Sequence, residues 1–266
     1  MSEFASDLYH MLARKLIAAH RGGQRAPAQV KELEALSRAQ ALRIQGEVVS
    51  ALSPVAGWKA AALPDGDLVS APILRHRLLQ SPASLSPVMY GLGGVECEIA
   101  FRFARRPTPR KHGFEREDIL DALDAACAAV EVVDSRWAVA SPIPRNAMIA
   151  DLLSNGALVV GSCNPHWRSV AFDVLAARLS INGTVRSETR GGHSDCDLIG
   201  LLVMLANDLL KRGIMLGAGE IVTTGSFTGF HTATSGDEIK AEFDGFPPVS
   251  VIFNSLESNG EANALR

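Results

Sequence analysis

At 266 residues the chain is long enough to close a single core, and nothing in its composition forces a split into separately folding parts. Hydrophobic residues make up 47% and charged residues 21%, which excludes general disorder, and a formal charge of -3 gives no electrostatic ground for a nucleic-acid partner. With no apolar run long enough to span a bilayer and no secretory leader pattern, no membrane partner and a cytoplasmic location are expected.

The first roughly fifty residues read as two helices separated by Arg21-Gly22-Gly23-Gln24. Phe4, Leu8, Met11, Leu12 and Leu16 mark one face of the first; Val30, Leu33, Leu36, Ala39, Leu42 and Ile44 mark the second, after Pro27. The apolar stripe from Leu33 to Leu52 must cover either its own core or a neighbouring copy, so a homo-oligomer is expected. From Trp58 to Phe103, short apolar runs broken by Pro54, Pro64, Pro72, Pro82, Pro87 and glycines suit strands and loops. A helix is expected from about Glu115 to Val130, with Glu117, Asp118 and Asp121 near its positive end. Asn182-Gly183 between β-type residues signals a hairpin. A helix follows over Asp195 to Arg212, ended by Gly213. Strands are expected at Ile221–Gly225, Glu238–Phe243 and Val249–Phe253. Strands that do not alternate regularly with helices argue for an α+β fold.

Val95-Glu96-Cys97-Glu98-Ile99 carries the most chemistry. Residues i and i+2 of a strand share a face, so Glu96 and Glu98 project side by side while their neighbours face the other way. Such a pair also fits the solvated face of an edge strand, but the apolar and glycine-rich flanks lack the lysines and mixed charges of an edge. Two adjacent carboxylates stay ionised together when a divalent cation sits between them. Glu131, in a second β-branched segment, completes an all-oxygen site suited to Mg2+ or Mn2+. Lys59, after Gly57 and Trp58 in an apolar stretch, suits a desolvated proton donor with a lowered pKa or a cation facing a substrate anion. Cys97, Cys127, Cys163 and Cys196 show no metal spacing and read as small buried hydrophobes in a reducing compartment. His193 and His231 are loop histidines in glycine-rich surroundings, the kind usually solvated.

Val-Glu-Cys-Glu-Ile-Ala-Phe (95–101), Glu131-Val-Val-Asp-Ser-Arg136, Ile149-Ala-Asp151-Leu-Leu-Ser154-Asn-Gly156 and Gly57-Trp-Lys59 together resemble the 2-keto-4-pentenoate hydratase and 4-oxalocrotonate decarboxylase family, within the fumarylacetoacetate hydrolase superfamily. The resemblance spans roughly residues 40 to 253 and implies a mixed, rolled β-barrel-like fold. The expected division is a helical N-terminal extension (1–52), a fumarylacetoacetate hydrolase-like catalytic domain (53–254) and a flexible tail (255–266). Glu96, Glu98 and Glu131 would be the metal ligands and Lys59 an active-site lysine. By the same resemblance Thr224, Ser226, Asp151 and Ser154 would contact a small 2-keto or 2-hydroxydienoic acid, although Asp151 equally suits a helix cap. Asp134 and Arg136 read as a structural ion pair or as hydrogen-bond anchors beside Glu131.

The implied reaction is addition of water to a 2-hydroxy-2,4-dienoate in the breakdown of aromatic compounds. The alternatives are a 4-oxalocrotonate-type decarboxylase, an acylpyruvate hydrolase, or a catalytically weak partner subunit of an active hydratase or decarboxylase. One departure bears on that choice: Ser70 stands where many of the hydratases carry an acid before a proline, unless Asp65 or Asp67 substitutes. The lack of a Glu–His pair argues against a carbon–carbon bond hydrolase.

Overall fold

The computed structural model describes residues 3–22, 24–63, 65–86, 93–139, 142–195 and 197–255, with only the backbone of 3–7. The expectations placed on Phe4's side chain, Gly23, Pro64, Pro87, Cys196 and the tail beyond 255 lie outside them. In chain order the elements are α1 (Glu3–His20), β1 (Ala26–Pro27), α2 (Val30–Glu34), α3 (Arg38–Leu52), β2 (Val55–Ala62), β3 (Leu68–Leu74), β4 (Leu78–Gln80), β5 (Ala83–Leu85) and β6 (Gly94–Phe103). They continue with α4 (Arg116–Ala122), β7 (Leu123–Val133), β8 (Trp137–Ala138), α5 (Arg145–Ala150), β9 (Asn155–Asn164), β10 (Ala176–Ile181) and β11 (Thr184–Arg190). The last are α6 (Leu198–Lys211), β12 (Ile221–Ser226), β13 (His231–Thr232), β14 (Glu238–Phe243) and β15 (Val249–Phe253).

The fold is α+β, with a curled half-barrel sheet. The larger sheet runs β3-β2-β12-β6-β7-β9-β4, with β13 paired to the start of β6; a second runs β11-β10-β14-β15-β5. One face of the larger sheet meets α6 and the second sheet over an apolar core containing Val95, Cys97, Ile99, Val130, Val132 and Leu202. Its other face, on the β2 and β3 side, is roofed by the N-terminal helices and α5 through Leu12, Leu33, Ile44, Val48, Ala71 and Ile149. The stripe from Leu33 is therefore buried within its own chain, and it does not argue for a neighbouring copy.

The hairpin at Asn182-Gly183 forms as expected, with both residues at positive φ (51° and 73°), the twist that suits a two-residue turn. Three expectations are corrected. The second N-terminal helix is two helices, because Ser37 caps a fresh start: its hydroxyl accepts from the Gln40 N–H while the Gln40 side chain accepts from the Ser37 N–H. The helix expected over 115–130 stops at Ala122, and Leu123–Val133 is a strand between β6 and β9. Its run of Ala favours a helix locally, but two ladders of hydrogen bonds and burial on both faces override that preference. Cys127 and Cys163, register partners on β7 and β9, form a disulfide with Cα atoms 4.1 Å apart. Strand adjacency, which spacing in the sequence does not reveal, brings them together.

Candidate active site

β6 and β7 pair without interruption from Gly94 opposite Val133 to Arg102 opposite Ala125, which sets Glu96 directly across from Glu131. Glu98 projects from the same face two residues further on. The three carboxylates each offer an oxygen within 4.8 Å of the others; Glu98 and Glu131 are buried and Glu96 is half-buried. The alternation that sends Val95, Cys97, Val130 and Val132 into the core leaves the acids no other face.

Polar groups from four further segments converge on the cluster. Lys59 of β2 donates to Glu131 Oε1 and, at 3.1 Å, to the Leu153 carbonyl. Asn155 Nδ2 donates to the same Glu131 oxygen at 2.9 Å. The Thr223 hydroxyl donates to Glu98 Oε2, and the Gly225 N–H lies 3.4 Å from that oxygen. Glu131 Oε2 is buried with no hydrogen-bond partner. Three clustered carboxylates facing one ammonium, with one buried oxygen unpaired, fit a hard divalent cation.

Burial pushes the Glu98 carboxyl well above the usual range, and Glu131 and Glu96 add to this against the pull of Lys59 and the Thr223 hydrogen bond. Burial and Glu131 raise Glu96 as well, against Lys59. At Lys59 burial acts to lower the pKa, but the charges of Glu131 and Glu98, the hydrogen bond to Glu131 and the charge of Glu96 outweigh it. The lysine is held above its ordinary value, which corrects the expectation of a desolvated, lowered amine.

The Leu153 carbonyl reaches Lys59 through an unusual turn. Leu152, Leu153 and Ser154 lie at φ 52°, 51° and 57°, three successive side-chain-bearing residues in the left-handed region. Asp151 anchors the turn. Its carboxylate accepts from the Ser135 hydroxyl at 3.1 Å and the Arg136 N–H at 2.7 Å, and it faces His20 at 3.3 Å and the Arg136 guanidinium at 3.8 Å. Asp151 is thus committed to a buried network rather than brought to the carboxylates, and Ser154 joins through its backbone, accepting from the Asp134 N–H. Asp134 pairs with Arg25 at 2.6 Å, while Arg136 donates to the Asp134 carbonyl.

Thr224 is not brought to the site: its hydroxyl donates to the Ile99 carbonyl, and alternation gives the inward position to Thr223. Ser226 stands opposite Glu98 in the ladder, with its hydroxyl 3.4 Å from the Gly229 carbonyl and accepting from the Thr228 N–H. Ser70 shares a sheet face with Ala60, its register partner, and lies 3.3 Å from an Arg212 nitrogen, on the side away from Lys59. Asp65 and Asp67 do not replace it; both are exposed and pair with Arg145 and Arg38. The two histidines are not simply solvated, since His193 Nε2 lies 2.8 Å from the Thr224 carbonyl and His231 Nε2 3.0 Å from that of Thr228. Thr223, Asn155 and the Leu153 carbonyl are site groups that the sequence does not single out, although Thr223 belongs to the Thr-Thr-Gly-Ser strand end whose hydroxyls suit a polar site.

A 2-keto-4-pentenoate hydratase of Burkholderia vietnamiensis is 31% identical over 162 residues, 60% of each chain, so this chain spans about three-fifths of that relative's length. A 4-oxalocrotonate decarboxylase of Pseudomonas putida is 25% identical over 203 residues, 76% of this chain and 70% of that one. In three dimensions, 4-oxalocrotonate decarboxylase from Pseudomonas putida G7, complexed with magnesium and adipate, superposes with a TM-score of 0.81 at 18% identity, over 95% of this chain and 98% of that one. The profile of the fumarylacetoacetate (FAA) hydrolase C-terminal family matches residues 45–252, well over half of the sequence, and the chain belongs to that family.

Proposed function

We propose that this chain is a divalent-metal-dependent lyase that adds water to a 2-hydroxy-2,4-dienoate. The observation that carries the proposal is the Glu96–Glu98–Glu131 cluster, two of its acids buried and one half-buried, with Lys59 against it. Glu96, Glu98 and Glu131 would hold Mg2+ or Mn2+, which would supply Lewis acidity toward a 2-keto acid substrate. The rest of the chemistry falls to the chain. Thr223 and Asn155 fix the Glu98 and Glu131 carboxylates by hydrogen bonds, as outer partners of a metal site do. Lys59, hydrogen-bonded to Glu131 and aimed by the Leu153 carbonyl, would set an amine beside the acids, where it can donate a proton or face a developing enolate.

Decarboxylation of an unsaturated 2-keto diacid is the second reading. Loss of carbon dioxide needs the same enolate stabilisation but no group to activate water, and among the described residues the groups bonded to the three acids are Lys59, Asn155, Thr223 and the Gly225 N–H, none of them a carboxylate or imidazole suited to that task. Purified protein with Mg2+ distinguishes the two. Loss of diene absorbance from 2-hydroxypenta-2,4-dienoate, giving 4-hydroxy-2-ketopentanoate, supports the hydratase. Inertness toward that compound with release of carbon dioxide from 4-oxalocrotonate replaces it with the decarboxylase.

A further inference from the structure

Phe230 is 53% exposed, one of five large apolar side chains so exposed among the described residues and the one aromatic among them. It does not sit on a loose loop. The Phe227 N–H donates to the Cys97 carbonyl at 2.8 Å, the Thr228 hydroxyl accepts from the Cys97 N–H at 3.1 Å, and His231 pairs with Val95 on β6. The ring rests on Gly94, where a β-carbon would overlap it, so glycine at 94 is what lets an aromatic side chain lie on the strand.

Gly94, Glu96 and Glu98 are alternate residues of one strand in continuous register, so the ring lies on the same face as the acids, one step beyond Glu96. That step is roughly 7 Å along the strand. Exposure rises in the same direction, from buried Glu98 through half-buried Glu96 to Phe230. This line gives a ligand whose head is held at the acids a course for its tail past the ring. An extended chain of four carbon–carbon bonds covers roughly 5 Å from C2, which with roughly 3.5–4 Å of van der Waals contact distance brings C6 to the ring.

Building on the dienoate reading above, we propose that Phe230 is a specificity-determining residue that receives the distal carbons of the substrate and selects an apolar tail over a terminal carboxylate. The ring offers apolar surface and no hydrogen-bond donor, so a carboxylate against it loses hydration without compensation. An alkyl tail gains from the same contact, about tenfold in affinity for two methylenes covered.

Equilibrium binding to the Mg2+-loaded protein tests this without relying on turnover. Calorimetry with pyruvate, 2-oxohexanoate and 2-oxoadipate compares a head alone, an apolar tail and a charged tail. The expected result is wild-type preference for 2-oxohexanoate over 2-oxoadipate. Phe230→Ala should bind 2-oxohexanoate about tenfold more weakly, bind pyruvate unchanged, and be largely rescued by Phe230→Leu. Unchanged 2-oxohexanoate affinity in Phe230→Ala, or an equal loss for pyruvate, overturns the role of Phe230 while leaving the functional reading standing. Failure of the wild type to bind any of the three overturns the functional reading, and this inference with it.

Discussion

Lys59 engages Glu131 through Oε1 alone, leaving Oε2 of the same carboxylate buried with no hydrogen-bond partner. A buried carboxylate oxygen left unpaired costs free energy unless a cation takes it. Glu131→Gln keeps an acceptor for Lys59 and Asn155 but puts an amide in place of the second oxygen. Its Mn2+ affinity, read by calorimetry, should fall by more than about 100-fold, beyond the usual loss for an outer partner of a metal site. Unchanged affinity would remove Glu131 from the site.

The network under the Leu152–Ser154 turn predicts a pH dependence of stability. Burial is the main cause that lowers the His20 pKa from 6.5 to about 4, with the Arg136 charge adding to it against the pull of Asp151. The unfolded chain therefore binds the proton more readily, so stability rises with pH across that window and is lost as pH falls from about 6.5 toward 4. The full span corresponds to roughly 3 kcal/mol. Urea unfolding of wild type and His20→Gln at pH 7 and pH 4.5 checks it: the variant should lose less stability on acidification, and parallel losses would refute the assignment.

Asp151 is expected to position rather than to touch substrate. In Asp151→Asn the buried Arg136 guanidinium loses the charge that faces it at 3.8 Å, and the turn aiming the Leu153 carbonyl at Lys59 loses its anchor. A loss of about 3–5 kcal/mol in unfolding free energy is expected, the usual scale for breaking a buried ion pair. Any folded fraction should show reduced kcat with KM nearly unchanged. A variant of wild-type stability with a raised KM would return Asp151 to the substrate.

These residues show which parts of the site could be read from the sequence. Glu96 and Glu98 were legible because strand alternation is local: two positions apart means one face, whatever the strand pairs with. Glu131 was legible as part of a β-branched segment, but the first part of its strand was not, since Leu123–Val130 carries small residues that favour a helix until β6 and β9 supply hydrogen bonds on both edges. The disulfide partners and Asn155 were hidden for a related reason, as both depend on β9 lying beside β7. The left-handed turn at Leu152–Ser154 contradicts the preference of every residue in it, and only the buried network around Asp151 accounts for its presence.

The choice between Thr223 and Thr224 turns on one step of register, and it gives a clean test. With Ile221 opposite Arg102, Thr223 falls opposite Ala100, on the acids' face, and its hydroxyl reaches Glu98. Thr224 then points to the other side and caps the Ile99 carbonyl. Valine is nearly isosteric with threonine and suits a strand, so each substitution removes a hydroxyl while preserving shape. Thr223→Val should weaken Mn2+ binding by about 10–100-fold because Glu98 loses a fixed partner, with little change in secondary structure. Thr224→Val should leave Mn2+ affinity within about twofold and cost about 1 kcal/mol in unfolding free energy, the scale of one lost buried hydrogen bond. Calorimetry and urea unfolding on the two variants decide the matter: if the metal-binding loss follows Thr224 instead, β12 pairs one residue out of the register described here, and Glu98 is held by a different neighbour.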